Sequence, residues 1–141
     1  MRMPDVNILV YAHREESPDH QRYAEWLVQL ATGHEPFALS ESVLQCFVRV
    51  VTNPRIFSPA STGEESFRFL DALVERPECI LIRTGLQHWT IFRQLCRNVN
   101  VKGKLVADAA HAALAIESGC EWVTTDTDFA RFAPPLRWVH L

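Results

Sequence analysis

The sequence predicts a three-layer α/β/α fold, in which helices cover both faces of a mainly parallel central sheet of about five short strands. Short apolar runs of strand length alternate along the chain with longer segments whose apolar residues recur at helical spacing. No internal repeat or low-complexity tract interrupts the alternation. A length of 141 residues suits one domain, so we expect a single domain over residues 1–141.

The N-terminal third is predicted to contain one strand and two helices. The strand covers Met3 to Val6, and a helix follows from about Ile8. Ser17-Pro18 is predicted to cap and open a second helix that continues through His20 to Ala31, because proline is favoured in the first turn of a helix. Gly33 ends that helix.

The next segment adds a strand and two helices with clear start signals. The strand is Phe37 to Leu39, and Ser40 offers an N-cap hydroxyl to a third helix that Asn53-Pro54 stops. Thr62 begins a fourth helix, which closes before Pro77. Apolar residues at helical spacing mark the two helices, namely Val43, Leu44, Phe47, Val48 and Val51 in the third and Phe67, Leu70, Leu73 and Val74 in the fourth.

The C-terminal half continues the alternation. A strand at Cys79 to Ile82 precedes a fifth helix, and a long Ala-rich helix from Leu105 to Ser118 ends at Gly119. Trp89, Phe92, Leu95 and Cys96 mark the fifth helix by their spacing. Core packing is the default role of Trp89 and Phe92, as it is of Trp26 and Phe47. The remaining elements are a strand at Trp122 to Thr124, a short helix at Phe129 to Phe132 and a strand at Leu136 to Val139.

Acidic residues recur at one predicted edge of the sheet. Asp5, Glu41 and Asp126 fall at or just past strand ends, and Asp108 lies near the start of the long helix, which faces the same edge in a right-handed crossover. Ligands of such sheets bind outside the carboxyl ends of the strands. Crowded carboxylates repel one another unless a cation joins them, and Mg²⁺ and Mn²⁺ prefer carboxylate oxygens. The sequence therefore predicts a divalent-metal site.

Each acidic residue also has a purely structural explanation. Asp5 could be a turn residue, and Asp108 or Glu41 could favour the positive end of a helix dipole, which contributes about 0.3–1 kcal/mol. Asp126 and Asp128 could cap the short helix that follows them. Taken singly these explanations are reasonable, but together they do not account for a set of acids on one edge.

The order of these residues resembles that of the PIN domain and, within it, the VapC-type toxins. Asp5 and Asn7 match the opening D-x-N, Glu41 matches the acid of the third helix, and Asp108 matches the aspartate that heads the Ala-rich helix. Asp126 belongs to the block T-x-D-x-D-F. Each block is weak alone, but four in the right order and spacing cover nearly the whole chain.

The resemblance implies a metal-dependent endoribonuclease that acts as the toxin of a toxin–antitoxin pair. Asp5, Asp108 and Asp126 would hold Mg²⁺ or Mn²⁺, and Glu41 would bind through water or orient the attacking water. The expected products carry a 5′-phosphate and a 3′-hydroxyl. The expected partners are RNA, a VapB-type antitoxin and a second copy of the chain, with candidate contact residues Tyr23, Trp26, Leu27 and Leu30.

Several further residues have two open interpretations. Asn7 and Thr125 could hydrogen-bond the metal-binding carboxylates, although Asn7 could equally close a turn. Asp128 could bind a second ion or cap a helix. His111 shares a helix face with Asp108, so it could act as a general base, but a packing role is the commoner one.

A local basic cluster suggests an RNA approach despite a formal net charge of −3. Arg93 and Arg97 lie one helical turn apart, and Lys102 and Lys104 follow on the way to Asp108. These side chains could form a phosphate track into the site. A solvated helix face with loop lysines would explain them as well.

The scattered cysteines and the short length of the apolar runs indicate a cytoplasmic protein. Cys46, Cys79, Cys96 and Cys120 have no C-x-x-C spacing, which favours reduced thiols, and the dispersed histidines make a zinc site improbable. The N-terminal apolar run does not have the form of a signal peptide, and no run reaches the ~18 apolar residues of a membrane span.

Two alternative functions remain open from the sequence. The first is a PIN-like module that binds RNA or protein without catalysis, which the presence of all the acidic positions disfavours. The second is another Mg-dependent phosphate hydrolase of the HAD type, suggested by Asp126-Thr127-Asp128. That enzyme needs its D-x-D after the first strand, whereas only 13 residues of this chain follow the motif.

Overall fold

The computed structural model describes residues 1–141 and contains five strands, six α-helices and one short 3₁₀ helix. In chain order the elements are β1 (Arg2–Pro4), α1 (Val6–His13), α2 (His20–Thr32), β2 (Phe37–Ser40), α3 (Glu41–Val51), α4 (Gly63–Val74), β3 (Cys79–Ile82), α5 (His88–Val99), α6 (Leu105–Ser118), β4 (Glu121–Thr124), the 3₁₀ helix (Thr127–Phe132) and β5 (Trp138–His140). No helix is both long and apolar enough to cross a membrane.

The strands form one sheet in the order β3-β2-β1-β4-β5, and every pair is parallel. The predicted α/β fold with about five strands is therefore confirmed. Helices α1 to α4 connect β1, β2 and β3 in one direction along the sheet, whereas α5 and α6 carry the chain back across to β4. Right-handed crossovers in opposite directions place their helices on opposite faces, which gives three layers.

The strand order reverses between β1 and β4, and this reversal creates the site. The chain leaves β1 towards β2 on one side, and β4 pairs with the other side of β1 through Met3 opposite Trp122 and Pro4 opposite Val123. The connections after the two strands diverge, so a crevice opens at their carboxyl ends. Asp5 follows β1 directly, and Asp126 follows β4 by two residues.

The core lies on both sides of the central strands. Its largest fully buried side chains include Trp122 of β4 and Phe37 of β2, with Phe47 of α3 on one side and Phe129 and Phe132 of the 3₁₀ helix on the other. Burying such aromatic and aliphatic surface supplies the main driving force for the fold. The strands that end at the crevice are thus packed against apolar side chains on both faces.

Three helix starts differ from the sequence prediction, and one is that of the 3₁₀ helix, which begins at Thr127 rather than Phe129. Helix α1 begins at Val6 rather than near Ile8, because the carboxylate of Asp5 caps it by accepting a hydrogen bond from the Val6 amide, and β1 ends accordingly at Pro4. Helix α2 begins at His20 after a left-handed Asp19 (φ 56°), so Ser17-Pro18 forms a turn before the helix. Strand β5 begins at Trp138, two residues later than predicted.

The predicted caps of α3 and α4 are confirmed. Ser40 Oγ accepts from the Val43 amide at 3.1 Å. Thr62 and Glu65 form a reciprocal capping box at the start of α4. The default core role of Trp89 is wrong, because its side chain is 64% exposed on the outer face of α5. Helical spacing identifies a shared face, but it does not show whether the whole face is covered.

Candidate metal centre

Asp5 is a buried carboxylate at the junction of β1 and α1. Its Oδ1 accepts from the Val6 amide, and its Oδ2 accepts from Thr124 Oγ1, both at 2.6 Å. Burial raises the pKa of Asp5 to about 6, against the lowering effect of these two hydrogen bonds, and the charge of Asp126 adds to the rise. Ionisation of Asp5 is therefore less favourable than that of an ordinary aspartate, and a nearby cation would favour it.

Thr124 is the hydrogen-bonding centre of the site. It is fully buried at the end of β4, and its hydroxyl oxygen also accepts from the Asp126 amide at 3.0 Å and from Asn7 Nδ2 at 3.3 Å. One side chain thus fixes Asp5, Asn7 and the backbone that leads to Asp126. Asn7 hydrogen-bonds to this hydroxyl rather than directly to a carboxylate.

The sequence pattern suggested this role for Thr125, one residue too late. Thr125 takes part through its main-chain carbonyl, which accepts from His140 Nε2 at 3.1 Å. Adjacent strand residues point to opposite faces, so only the register against β1 decides which threonine meets Asp5. That register depends on pairing between segments about 120 residues apart and has no local sequence signal.

Asp126 is a half-buried carboxylate that both caps the 3₁₀ helix and pairs with a lysine. Its Oδ1 accepts from the Asp128 amide at 2.9 Å, and its Oδ2 accepts from Lys104 Nζ at 3.1 Å. Burial opposes ionisation, but the Asp128 amide and the Lys104 ammonium outweigh it and hold the pKa of Asp126 below its usual value. The capping role of Asp126 is real and coexists with its place in the acidic cluster.

Asp108 completes a cluster of three aspartates. It lies in the first turn of α6 and is buried, and its Oδ2 has no hydrogen-bond partner. Burial raises the pKa of Asp108, the charge of Lys104 opposes the rise, and the charges of Asp126 and Asp5 add to it. Because the three carboxylates affect one another's ionisation, they share one electrostatic site.

Glu41 lies at the same edge but apart from the three aspartates. It is the first residue of α3, and its Oε1 accepts from Arg83 Nε and Nη2, both at 2.7 Å. Arg83 was not predicted from the sequence. It follows β3 as Glu41 follows β2, and the last residues of those strands, Ser40 and Ile82, are paired neighbours, so strand order was the missing information.

The donor set fits a hard divalent cation, although it is not assembled around one. No group of three or more His, Cys, Asp or Glu side chains is positioned to hold an ion. However, Asp108 Oδ2 and Asn7 Oδ1 are buried oxygens without a partner, and such atoms normally find one in a folded protein. Carboxylate and amide oxygens are the ligands that Mg²⁺ and Mn²⁺ prefer.

The other predicted site residues lie around this cluster. Asp128 pairs with Arg131 at 3.4 Å within the 3₁₀ helix. His111 stacks on Trp122 with ring centroids 5.5 Å apart, and burial lowers the pKa of its imidazole. Arg93, Arg97 and Lys102 are exposed and form no ion pair, whereas Lys104 is engaged with Asp126.

Two of the four residues proposed as a partner surface on α2 belong to the hydrophobic core. Tyr23 and Leu27 are buried in the main apolar cluster, and Trp26 and Leu30 are only partly covered. The cysteines Cys46, Cys79, Cys96 and Cys120 are all free thiols.

Fold and site together define a parallel α/β domain with an acidic centre at the reversal point of its sheet. Residues 2–134 match the PIN domain family, and the chain belongs to that family. The chain is 43% identical to Ribonuclease VapC43 of Mycobacterium tuberculosis over 136 residues, and this alignment covers 96% of this chain and 92% of the relative. It is 36% identical over 142 residues to Ribonuclease VapC31 of the same species, covering 96% of this chain and all of the relative.

A solved structure shows the same fold. The crystal structure of VapBC2 from Rickettsia felis, bound to a DNA fragment from its promoter, aligns with a TM-score of 0.73 and 23% identity. The alignment covers 99% of this chain and 97% of the other.

Proposed function

We propose that this protein is a divalent-metal-dependent endoribonuclease that acts as the toxin of a toxin–antitoxin pair. The observation that supports it most directly is the cluster of Asp5, Asp108 and Asp126 at the reversal point of the sheet, with an unpartnered buried oxygen on Asp108. A helix dipole or a cap does not account for an unpartnered carboxylate oxygen at this position, whereas a bound cation would. Relatives named VapC ribonucleases at up to 43% identity support the activity.

Asp5, Asp108 and Asp126 would hold Mg²⁺ or Mn²⁺, with Asn7 Oδ1 as a further oxygen donor at the same edge. When bound, the ion supplies positive charge that stabilises the charge developing on the phosphodiester in the transition state. Thr124 keeps the carboxylate of Asp5 in one orientation through its hydrogen bond. The expected products are RNA fragments with a 5′-phosphate and a 3′-hydroxyl.

Glu41 would orient the attacking water rather than bind the ion directly. Its carboxylate lies at the carboxyl end of β2, next to β1, and is not among the charges that shift the pKa of Asp5 or Asp108. Arg83, the residue after β3, pairs with the Glu41 carboxylate, so this side chain has a hydrogen-bonding partner without the ion. A carboxylate fixed in this way can accept a proton from water near the scissile phosphate.

The proposed partners are a VapB-type antitoxin, an RNA substrate and a second copy of this chain. The similarity of the fold to the toxin–antitoxin complex VapBC2 supports the first. Apolar side chains left open to solvent support an assembled state, among them Leu86 (98% exposed), Trp89 (64%) and Phe67 (55%). Light scattering of the protein alone would test assembly with a second copy of the chain. Light scattering after co-purification with a small protein from the neighbouring reading frame would test binding of the antitoxin.

The test of the activity is a titration of RNA cleavage against Mg²⁺ and Mn²⁺. We expect cleavage in the wild type to require the ion, and Asp5→Asn to abolish it while preserving the cap of α1. Asp71→Asn is the matched control, because Asp71 is exposed on α4 and makes no ion pair. Wild-type protein that binds RNA but never cuts it with any divalent ion would identify a non-catalytic binding module instead.

A further inference from the structure

We propose that Lys104 is a built-in counter-cation that occupies the carboxylate of Asp126, and that a divalent ion must displace it to load the site. This inference rests on the proposed metal-dependent function. It assigns Lys104 a role different from the phosphate contact predicted from the sequence, because the ammonium group binds the chain's own acidic cluster.

The contacts of Lys104 support this role. Its Nζ lies 3.1 Å from Asp126 Oδ2, and this is the one ion pair that any of the three clustered aspartates makes. The pKa of Lys104 is raised by its hydrogen bond to Asp126 and by the charges of Asp126, Asp108 and Asp128. The same ammonium lowers the pKa of Asp5 and of Asp108. Lys104 thus partly neutralises the whole cluster.

The position of Lys104 allows it to leave without disturbing the fold. It directly precedes α6 and supplies no side-chain cap to that helix, and its side chain is 75% exposed. The lysine stem is flexible, so the ammonium can move into solvent while the backbone stays in place. An exposed ion pair of this kind contributes little free energy, so it can compete with an ion but cannot block it.

Lys104 and a divalent ion are expected to compete because both would bind the same oxygen, Oδ2 of Asp126. Asp126 Oδ1 accepts from the Asp128 amide, and Lys104 binds Oδ2, the oxygen of Asp126 that has no main-chain hydrogen bond. A divalent ion bound to Asp126 Oδ2 would stand close to the ammonium and be repelled by it. Removing the positive charge should therefore strengthen ion binding, in contrast to removing an RNA contact, which should not affect it.

The experiment measures Mn²⁺ affinity of the full chain without RNA, by electron paramagnetic resonance of the free ion. Lys104→Met keeps the stem and removes the charge, and we expect it to bind Mn²⁺ roughly three- to fivefold more tightly than the wild type. Lys104→Arg keeps the charge and should stay within about twofold of the wild type. Lys102→Met is the control, because Lys102 is exposed two residues away and forms no ion pair.

The outcomes separate this inference from the proposed function. If the wild type binds Mn²⁺, Asp5→Asn does not, and Lys104→Met binds no more tightly than the wild type, the counter-cation role is overturned and metal dependence stands. If Lys102→Met gains affinity as much as Lys104→Met, a general charge effect replaces the specific pair. If neither the wild type nor Lys104→Met binds Mn²⁺ at the site, the proposed function and this inference both fail. Melting curves in chelator check that each variant is folded.

Discussion

The hydroxyl of Thr124 is the most constrained group in the site. It donates to Asp5, accepts from two other groups and is fully buried. A buried polar group that loses its partner costs the full desolvation penalty, about 1–3 kcal/mol. The orientation of the Asp5 carboxylate therefore depends on a residue that has no charge.

Thr124→Val should destabilise the protein by roughly 1–3 kcal/mol in chelator, because Asp5 loses a donor and the Asp126 amide loses its acceptor. Urea unfolding followed by circular dichroism measures this. Thr124→Ser keeps the hydroxyl and should recover part of the loss. Thr90→Val, at an exposed position of α5, should change stability by about 0.5 kcal/mol or less. A Thr124→Val protein as stable as the wild type would show that these hydrogen bonds are not important.

Loss of the Glu41 charge should slow cleavage more than it weakens ion binding, whereas loss of an aspartate of the cluster should affect both. Glu41→Gln keeps the size of the side chain but removes the charge that accepts a proton, so we expect turnover to fall roughly 10²–10⁴-fold. Mn²⁺ affinity should fall less than in Asp5→Asn. Single-turnover cleavage and Mn²⁺ titration on the same proteins show both effects. Glu75→Gln, exposed after α4, is the control, and wild-type cleavage by Glu41→Gln would remove Glu41 from the mechanism.

At the scale of elements, α1 is tied to the loop before α4 through a histidine. His13 Nε2 and Ser61 Oγ are 2.9 Å apart, and Arg14 Nη1 donates to the same oxygen at 2.9 Å. The Ser61 hydroxyl therefore joins the ring of His13 to the guanidinium of Arg14. The ring also packs against Phe47 and Phe69, with centroids 5.3 Å and 4.9 Å away.

This contact predicts a loss of stability in acid. Burial, followed by the charge of Arg14, lowers the pKa of His13 below 6.5 in the folded protein. The unfolded chain therefore takes up the proton first, so the stabilisation is complete above about pH 6.5 and is lost as the pH falls through the folded pKa. Free energies of unfolding at pH 7 and pH 5 should differ less in His13→Gln than in the wild type. His34→Gln, in an exposed loop, should behave as the wild type, and equal pH dependence in all three would refute the prediction.

Helix α5 presents an exposed face next to the acidic edge. Arg93 and Arg97 lie on it one turn apart and are free of ion pairs. If both contact single-stranded RNA phosphates, replacing both with Gln should flatten the log–log salt dependence of binding by about 0.7 per lost contact. Fluorescence anisotropy at several salt concentrations measures the slope. The double variant Arg22→Gln, Arg55→Gln removes the same charge elsewhere, and an equal change there would indicate a net-charge effect.

At the scale of the molecule, the sequence predicts elements better than contacts. Helices α3, α4 and α6 were predictable because capping residues and apolar spacing are local signals. The convergence of Asp5, Asp108 and Asp126 was predictable because parallel strands place their ends at one edge. The pairs Glu41–Arg83 and Asp126–Lys104 were not, since they join residues 42 and 22 positions apart and depend on strand order and loop path.

The most direct test of the central claim is the effect of Mn²⁺ on the melting temperature. An ion that binds only the folded protein stabilises it by about 2.7 kcal/mol at one hundred times its dissociation constant. For a domain of this size that corresponds to a rise of roughly 5–10 °C. The wild type should show this rise and Asp5→Ala should show almost none, each measured against its own melt in chelator. Equal rises in the two proteins would place the ion elsewhere and contradict the assignment of the acidic cluster as the metal centre.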